Sequence, residues 1–130
     1  MFTAMFLTVL LMEPVAHLLH RYLWHGILWF IHKSHHAEHT DLFEWNDIFA
    51  LFYAVVSICC IFLGVSDYTR GIGWGIVLFG VAYMIVHDGY IHGRFSCSFL
   101  GRFRYFRKLK AQHILHHRRD NHNPFGLFWV

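Results

Sequence analysis

Gly71-Ile72-Gly73-Trp74-Gly75-Ile76-Val77-Leu78-Phe79-Gly80-Val81-Ala82-Tyr83-Met84-Ile85-Val86 carries no charged side chain and runs directly into His87-Asp88-Gly89-Tyr90-Ile91-His92. A run of this kind is slightly short of the roughly 20 apolar residues that cross a bilayer. Two further runs resemble it. Ile48–Ser66 has no ionisable side chain except Tyr53, Cys59 and Cys60, and Met1–Leu19 is interrupted only by Glu13 and His17. The latter has neither the basic start nor the small-residue cleavage site of a signal peptide, so a retained transmembrane helix is expected. The chain of 130 residues is 56% hydrophobic and 15% charged, where soluble domains carry roughly 25% charged residues. A soluble fold of this size could not hide so much apolar surface. A membrane protein of one domain, residues 1–130, is therefore expected.

Ten of the 13 histidines fall into four short clusters: His20/His25, His32/His35/His36, His87/His92 and His113/His116/His117. The spacings read H-x4-H, H-x2-H-H, and then both again. Neutral imidazole is the commonest metal-ligating side chain, and so many at repeated spacing exceed what one ion can use. A site for two metal ions is the reading that follows.

Charge distribution brings the clusters to one side. Arg70 alone lies between the second and third apolar runs. Arg21, Lys33, Arg94, Arg102, Arg104, Arg107, Lys108, Lys110, Arg118 and Arg119 lie after the first or the third. The positive-inside rule makes that side cytoplasmic. With the N-terminus outside, all four clusters then meet at the cytoplasmic face, and Asp67–Gly71 is expected as the turn on the far face. This distribution also argues against a basic nucleic-acid-binding tail as the reason for the net charge of +3. Leu23–Ile31 is apolar but too short to span, and is expected in the interface or the core, or as a re-entrant fourth helix. The expected fold is all-α and membrane-embedded. It has three transmembrane helices, or four with Leu23–Ile31, and a cytoplasmic helical cap holding a histidine-rich dimetal site. Cys59, Cys60 and Cys97 read as small packing residues in a reducing compartment rather than a disulfide framework.

Helix geometry suits six of the ten clustered histidines. In H-x2-H-H the three side chains share one face of an α-helix. In H-x4-H they lie roughly 140° apart on a regular α-helix, so a break or bulge at Gly26 or Gly89 is needed, or an approach from opposite sides of a dinuclear centre. Glu13 lies one turn before His17 and two before His20. A carboxylate within a span either holds one of those imidazoles or makes a polar contact to another helix. Asp88, beside His87, has the same two readings. Asp47 is expected to cap the helix that enters the second span. Gly71, Gly73, Gly75 and Gly80 are expected mainly to let helices approach closely, with Gly71 and Gly75 forming G-x-x-x-G.

These residues resemble the bacterial beta-carotene hydroxylases of the fatty-acid hydroxylase and sterol desaturase superfamily. The likeness runs from Glu13 through His20-Arg21-Tyr22-Leu23-Trp24-His25-Gly26 and His32-Lys33-Ser34-His35-His36. It continues through Glu44-Trp45-Asn46-Asp47-Ile48-Phe49-Ala50, His87-Asp88-Gly89-Tyr90-Ile91-His92, Gln112-His113-Ile114-Leu115-His116-His117 and Phe125-Gly126-Leu127-Phe128. His17 and His122 are additions to that pattern. The resemblance implies a non-haem enzyme with two Fe ions, held by the ten clustered histidines, that uses O2 to hydroxylate the beta-ionone rings of beta-carotene. The products are beta-cryptoxanthin and then zeaxanthin. It further implies an external reductant such as ferredoxin, for which Arg102–Lys110 offers a basic dock, and a place in the bacterial inner membrane. Zinc, which imidazole also holds well, is an expected substitute in purified protein. Two alternatives are a fatty-acid or sterol hydroxylase of the same superfamily, and a histidine-rich metal-binding or transport protein. The first is opposed by the H-x4-H spacing; the second by the near absence of ligands inside the spans.

Overall fold

A computed structural model of the chain describes residues 1–37, 43–118 and 124–129. Among these, all regular structure is helical: α1 (Phe2–Leu18), α2 (Trp29–His36), α3 (Asp47–Phe62), α4 (Asp67–Tyr83) and α5 (Arg104–Arg118). Leu19–Ile27 and Met84–Ile91 are π-helical, and Ser98–Arg102 is a 3-10 turn. His39 and His122 lie outside the described residues.

α1 and α4 each continue into a π-helical segment. The resulting stretches, Phe2–Ile27 and Asp67–Ile91, are the two that are long and apolar enough to cross a membrane. α3 is apolar too, but its 16 residues make only about 24 Å of helix against a hydrocarbon core of about 30 Å. After Phe62 a turn of four residues leads directly into the next helix. Ser66 and Thr69 cap α4 reciprocally: Thr69 N–H donates to Ser66 Oγ (3.2 Å) and Ser66 N–H to Thr69 Oγ1 (3.1 Å). Side-chain oxygens thereby satisfy donors that a helix start leaves open. The turn is consequently Leu63–Ser66, and Asp67–Arg70 form the first turn of α4, not the loop expected at Asp67–Gly71. Leu23–Ile31 is not one helix either. Gly26 has non-helical torsions (φ −100°, ψ −119°), and α2 begins afresh at Trp29. Asp47 is the first residue of α3, so its carboxylate sits in the first turn, where it complements the helix dipole.

The chain packs as two compact units. The first comprises Met1–Met12 and Asp47–Ala82. Here the glycines of α4 set the interhelical contacts. A Cβ on Gly75 would come within 2.5 Å of Thr8 Cβ, and one on Gly71 would strike Met1 and Ala4. Gly73, facing the other way, would meet Ile61, Ser57 and Cys60 of α3 at 2.7–2.9 Å. Gly80 has open space and takes no part in this packing.

The second unit comprises Glu13–Asn46 and Tyr83–Val130, and holds every described cluster histidine. Its apolar core gathers Val86, Tyr90, Ile91, Cys97, Leu100, Leu109 and Leu127. Gly93, at φ +71°, turns the chain out of the second π-helical segment in the left-handed conformation that glycine adopts freely. Gly89 leaves room for Phe95 and Cys97 to fold back onto that segment, since a Cβ there would lie 2.7–2.8 Å from both.

Candidate metal centre

His20 and His25 lie in the first π-helical segment, and His87 lies in the second with His92 directly after it. A turn closed by an i→i+5 hydrogen bond brings residue i+5 round above residue i, which an α-helix does not do. His92 N–H donates to His87 O at 2.9 Å, so the histidine pair itself closes such a turn. Leu28 N–H does the same to Leu23 O at 2.9 Å, three residues further along than the His20/His25 pair.

Ten imidazoles converge in two groups. In the first, the ligand atoms of His20, His25, His32, His36 and His116 all lie within 4.8 Å of one another. Nε2 of His20 is 2.9 Å from that of His32 and 3.2 Å from those of His25 and His116. The second group has His35, His87, His92 and His113. Nε2 of His35 is 3.1 Å from that of His87, and Nε2 of His92 is 3.0 Å from that of His113. His117 joins this group through His113, with Nε2 atoms 2.9 Å apart. The triplets divide crosswise. His32 and His36 serve the first group while His35, between them, turns to the second. His113 and His117 serve the second while His116 turns to the first. The rings of His36 and His117 stack between the groups, 4.3 Å apart and 9° from parallel.

The outer nitrogens show which ring positions carry hydrogen. His20 Nδ1–H donates to Phe125 O (2.7 Å) and His32 Nδ1–H to Asn46 Oδ1 (2.7 Å). His35 Nδ1–H donates to Glu44 Oε1 (2.9 Å) and His87 Nδ1–H to Asp88 Oδ1 (2.7 Å). With the proton on Nδ1, a neutral imidazole has only a lone pair on Nε2. The His20–His32 and His35–His87 contacts are therefore lone pair against lone pair, with no hydrogen between them. A second proton would relieve this, but burial opposes it. Burial, followed by neighbouring imidazoles, holds His35 and His113 well below the usual histidine range. Burial likewise pushes His32 down to about 4, against the pull of Asn46, and His36 to about 3 and His117 to about 2 with neighbouring imidazoles adding to it. A cation between converging lone pairs resolves the arrangement, so the donor set fits a metal ion in each group. The spacing fits as well. Metal–nitrogen bonds of about 2.1 Å put right-angled neighbours about 3.0 Å apart and tetrahedral ones about 3.4 Å apart. The observed 2.9–3.2 Å between neighbouring nitrogens lies in the range that two ligands of one ion would keep.

Asp88, a candidate from the sequence, does hold a cluster histidine. Glu13 does not: its Oε1 accepts the N–H groups of Phe128 (2.7 Å) and Trp129 (3.1 Å), and His20 takes its outer partner from Phe125 instead. His17 lies in neither group; its ring meets that of Phe125 edge-on at 5.8 Å. Sequence reading assigned no role to Glu44, Asn46 or the Phe125 carbonyl. The first two were accessible, being a carboxylate and an amide just after a histidine cluster. A backbone carbonyl 105 residues away from His20 leaves no such signal. Arg94 reaches Glu44 at 3.4 Å and Asp88 at 3.8 Å, joining the two carboxylates.

The fatty acid hydroxylase family profile matches residues 5–130. A beta-carotene hydroxylase of Pseudescherichia vulneris is 38% identical, covering 95% of this chain and 73% of its own length. The same enzyme of Paracoccus sp. (strain PC1) is also 38% identical, over 95% of this chain and 80% of its own length. A chloroplastic beta-carotene 3-hydroxylase of Gentiana lutea is 43% identical over 90% of this chain, which spans 39% of that protein. The chain thus covers about two fifths of its plant relatives. No solved structure matches it.

Proposed function

Because the chain belongs to the fatty acid hydroxylase family, we propose that it is a beta-carotene 3-hydroxylase working at a non-haem di-iron centre. The observation that carries the reading is the convergence of lone pairs from neutral imidazoles in two adjoining groups. The bacterial relatives, named for the same activity and matched over most of their length, support the substrate. His20, His25, His32, His36 and His116 would hold one ion, and His35, His87, His92, His113 and His117 the other. Iron held there would supply the oxidising power to insert oxygen from O2 into an unactivated C–H bond, which no side chain possesses. Per ring, one O2, two electrons and two protons yield one hydroxyl group and one water, taking beta-carotene to beta-cryptoxanthin and then zeaxanthin.

The chain's own part is to bind, orient and exclude water. Phe125, Glu44, Asn46 and Asp88 fix the proton on Nδ1 and leave Nε2 open inward. Trp24 lies 5.4 Å from the His20 ring, Trp29 5.2 Å from those of His25 and His36, and Tyr83 4.5 Å from that of His87. These rings wall the centre with apolar surface suited to a polyene. The substrate arrives dissolved in the bilayer, since His20/His25 and His87/His92 end the two helices apolar enough to cross it. We place the protein in the bacterial inner membrane, with Phe2–Ile27, Asp67–Ile91 and the shorter α3 as its three spans, residues 1–130 acting as one hydroxylase domain, and the histidines facing the cytoplasm. A ferredoxin there would deliver electrons over the basic stretch Arg102–Lys110.

Pigment analysis tests the reading. Beta-carotene-producing cells expressing the chain should accumulate zeaxanthin, with beta-cryptoxanthin as the intermediate. Unchanged beta-carotene together with a newly hydroxylated fatty acid or sterol would transfer the activity to that lipid class.

A further inference from the structure

Pro124–Trp129 belongs to no helix or strand, yet its middle, residues 125–127, is buried in the second unit. Phe125 and Leu127 are buried, and Leu127 enters the apolar core. Irregular backbone in such a place needs outside partners for its polar groups. Glu13, itself 4% exposed, supplies one oxygen to two consecutive N–H groups, those of Phe128 and Trp129. Tyr105 donates its hydroxyl to Phe128 O at 2.6 Å from the other side. Gly126 makes the approach possible, because a Cβ there would come within 2.5 Å of Glu13 Oε1. At the other end of the same short segment, Phe125 O takes the His20 Nδ1 proton. The Phe125 ring stands edge-on to His20, His25 and His116 at 5.1–5.6 Å.

We propose that Glu13 is a positioning residue for the first histidine group, acting through this C-terminal strap. The carboxylate anchors Phe128 and Trp129, the anchor fixes the Phe125 carbonyl, and the carbonyl keeps His20 in the tautomer whose Nε2 lone pair points inward. The outer acceptors described in the second group are Glu44 and Asp88 instead, and that group is expected to hold its ion independently of the strap. The proposal rests on the two-ion reading above. Metal analysis of the parent protein tests that reading separately, by finding two ions per chain or not.

The test compares full-length parent and Glu13→Gln protein in detergent, by amide hydrogen exchange and by iron retention during dialysis against a chelator. Gln keeps the side chain's size but replaces one of the two acceptor oxygens with an amide nitrogen that can only donate. Exchange at Phe128 and Trp129 should accelerate. One of the two iron equivalents should be held about 10- to 100-fold less tightly, as when an outer partner of a ligand is lost, while the other stays as in the parent. Faster exchange with both equivalents retained as in the parent would make Glu13 a purely structural latch and overturn the proposal. Unchanged exchange, or equal loss of both ions, would overturn it as well. Should Glu13→Gln not accumulate in folded form, Tyr105→Phe loosens the strap from its exposed side with the carboxylate in place. The same selective loss, smaller in size, is expected there, and its absence counts against the proposal.

Discussion

In the first histidine group the described acceptors on the outer nitrogens are neutral: a backbone carbonyl for His20 and an amide oxygen for His32. In the second they are carboxylates, Glu44 for His35 and Asp88 for His87, with Arg94 reaching both. The inner geometry is alike, with Nε2 separations of 2.9–3.2 Å in one and 2.9–3.1 Å in the other. An anion on Nδ1–H draws that proton outward and makes Nε2 the stronger donor. Two groups of one donor type and like spacing therefore differ in the electron supply at Nε2, and the difference lies outside the imidazoles themselves.

The crosswise histidines offer the largest effect. His116→Ala should abolish zeaxanthin formation and remove the first ion, and His35→Ala should do the same through the second. His116 is fully buried and His35 nearly so, so no water readily takes the place of either imidazole. Elemental analysis decides whether the groups are separable. Loss of both ions from His116→Ala would show them to be one cooperative unit, and the comparison would fail.

Acid should act on both groups in one direction. The unfolded chain's histidines protonate near pH 6.5, whereas His32 resists until about 4, His36 until about 3 and His117 until about 2. Above pH 6.5 the imidazoles are neutral in both states and contribute nothing to a pH dependence. Below it the unfolded state binds the extra protons, so metal-free protein should lose stability steadily as pH falls toward 4. Thermal unfolding from pH 8 to pH 4 checks this. A midpoint that rose on acidification would contradict the neutral assignment.

Changes to the outer acceptors should be milder and should separate the groups. Glu44→Gln or Asp88→Asn should weaken the second ion about 10- to 100-fold, about 1.4–2.7 kcal/mol, and leave the first alone. Equal weakening of both ions by Asp88→Asn would erase the difference between the two groups. Asn46→Asp sharpens it from the other side, by giving the first group an anion and tightening its ion.

The elements that were legible in the sequence are those whose cause is local. Apolar runs gave helices, and repeated spacings gave the ten histidines that converge. Asp88 was readable because it adjoins its partner. Ser66 and Thr69 were readable as a reciprocal cap but were overshadowed by Asp67 and Arg70, whose charges imitate a loop. H-x4-H stayed open because periodicity assumes one helix type, and only the i→i+5 bond at His87–His92 selects the other. The crosswise turn of His35 and His116, and the use of Phe125 O, depend on packing between distant segments. Nothing within a few residues of either encodes it.

The smallest effect is expected at His17, and it tests whether proximity alone makes a ligand. His17 lies three residues before His20 on the same helix, and its ring touches Phe125, which itself lies against His20, His25 and His116. Counting histidines would include it; the geometry does not, because it belongs to neither converging group. His17→Ala removes one edge-on ring contact, worth about 0.5–1.5 kcal/mol, and no ligand lone pair. The variant should keep two ions per chain and form zeaxanthin within a few-fold of the parent, with a modest drop in thermal midpoint. Loss of an ion from His17→Ala would bring an eleventh imidazole into the first group, and the matching of five against five would have to be redrawn.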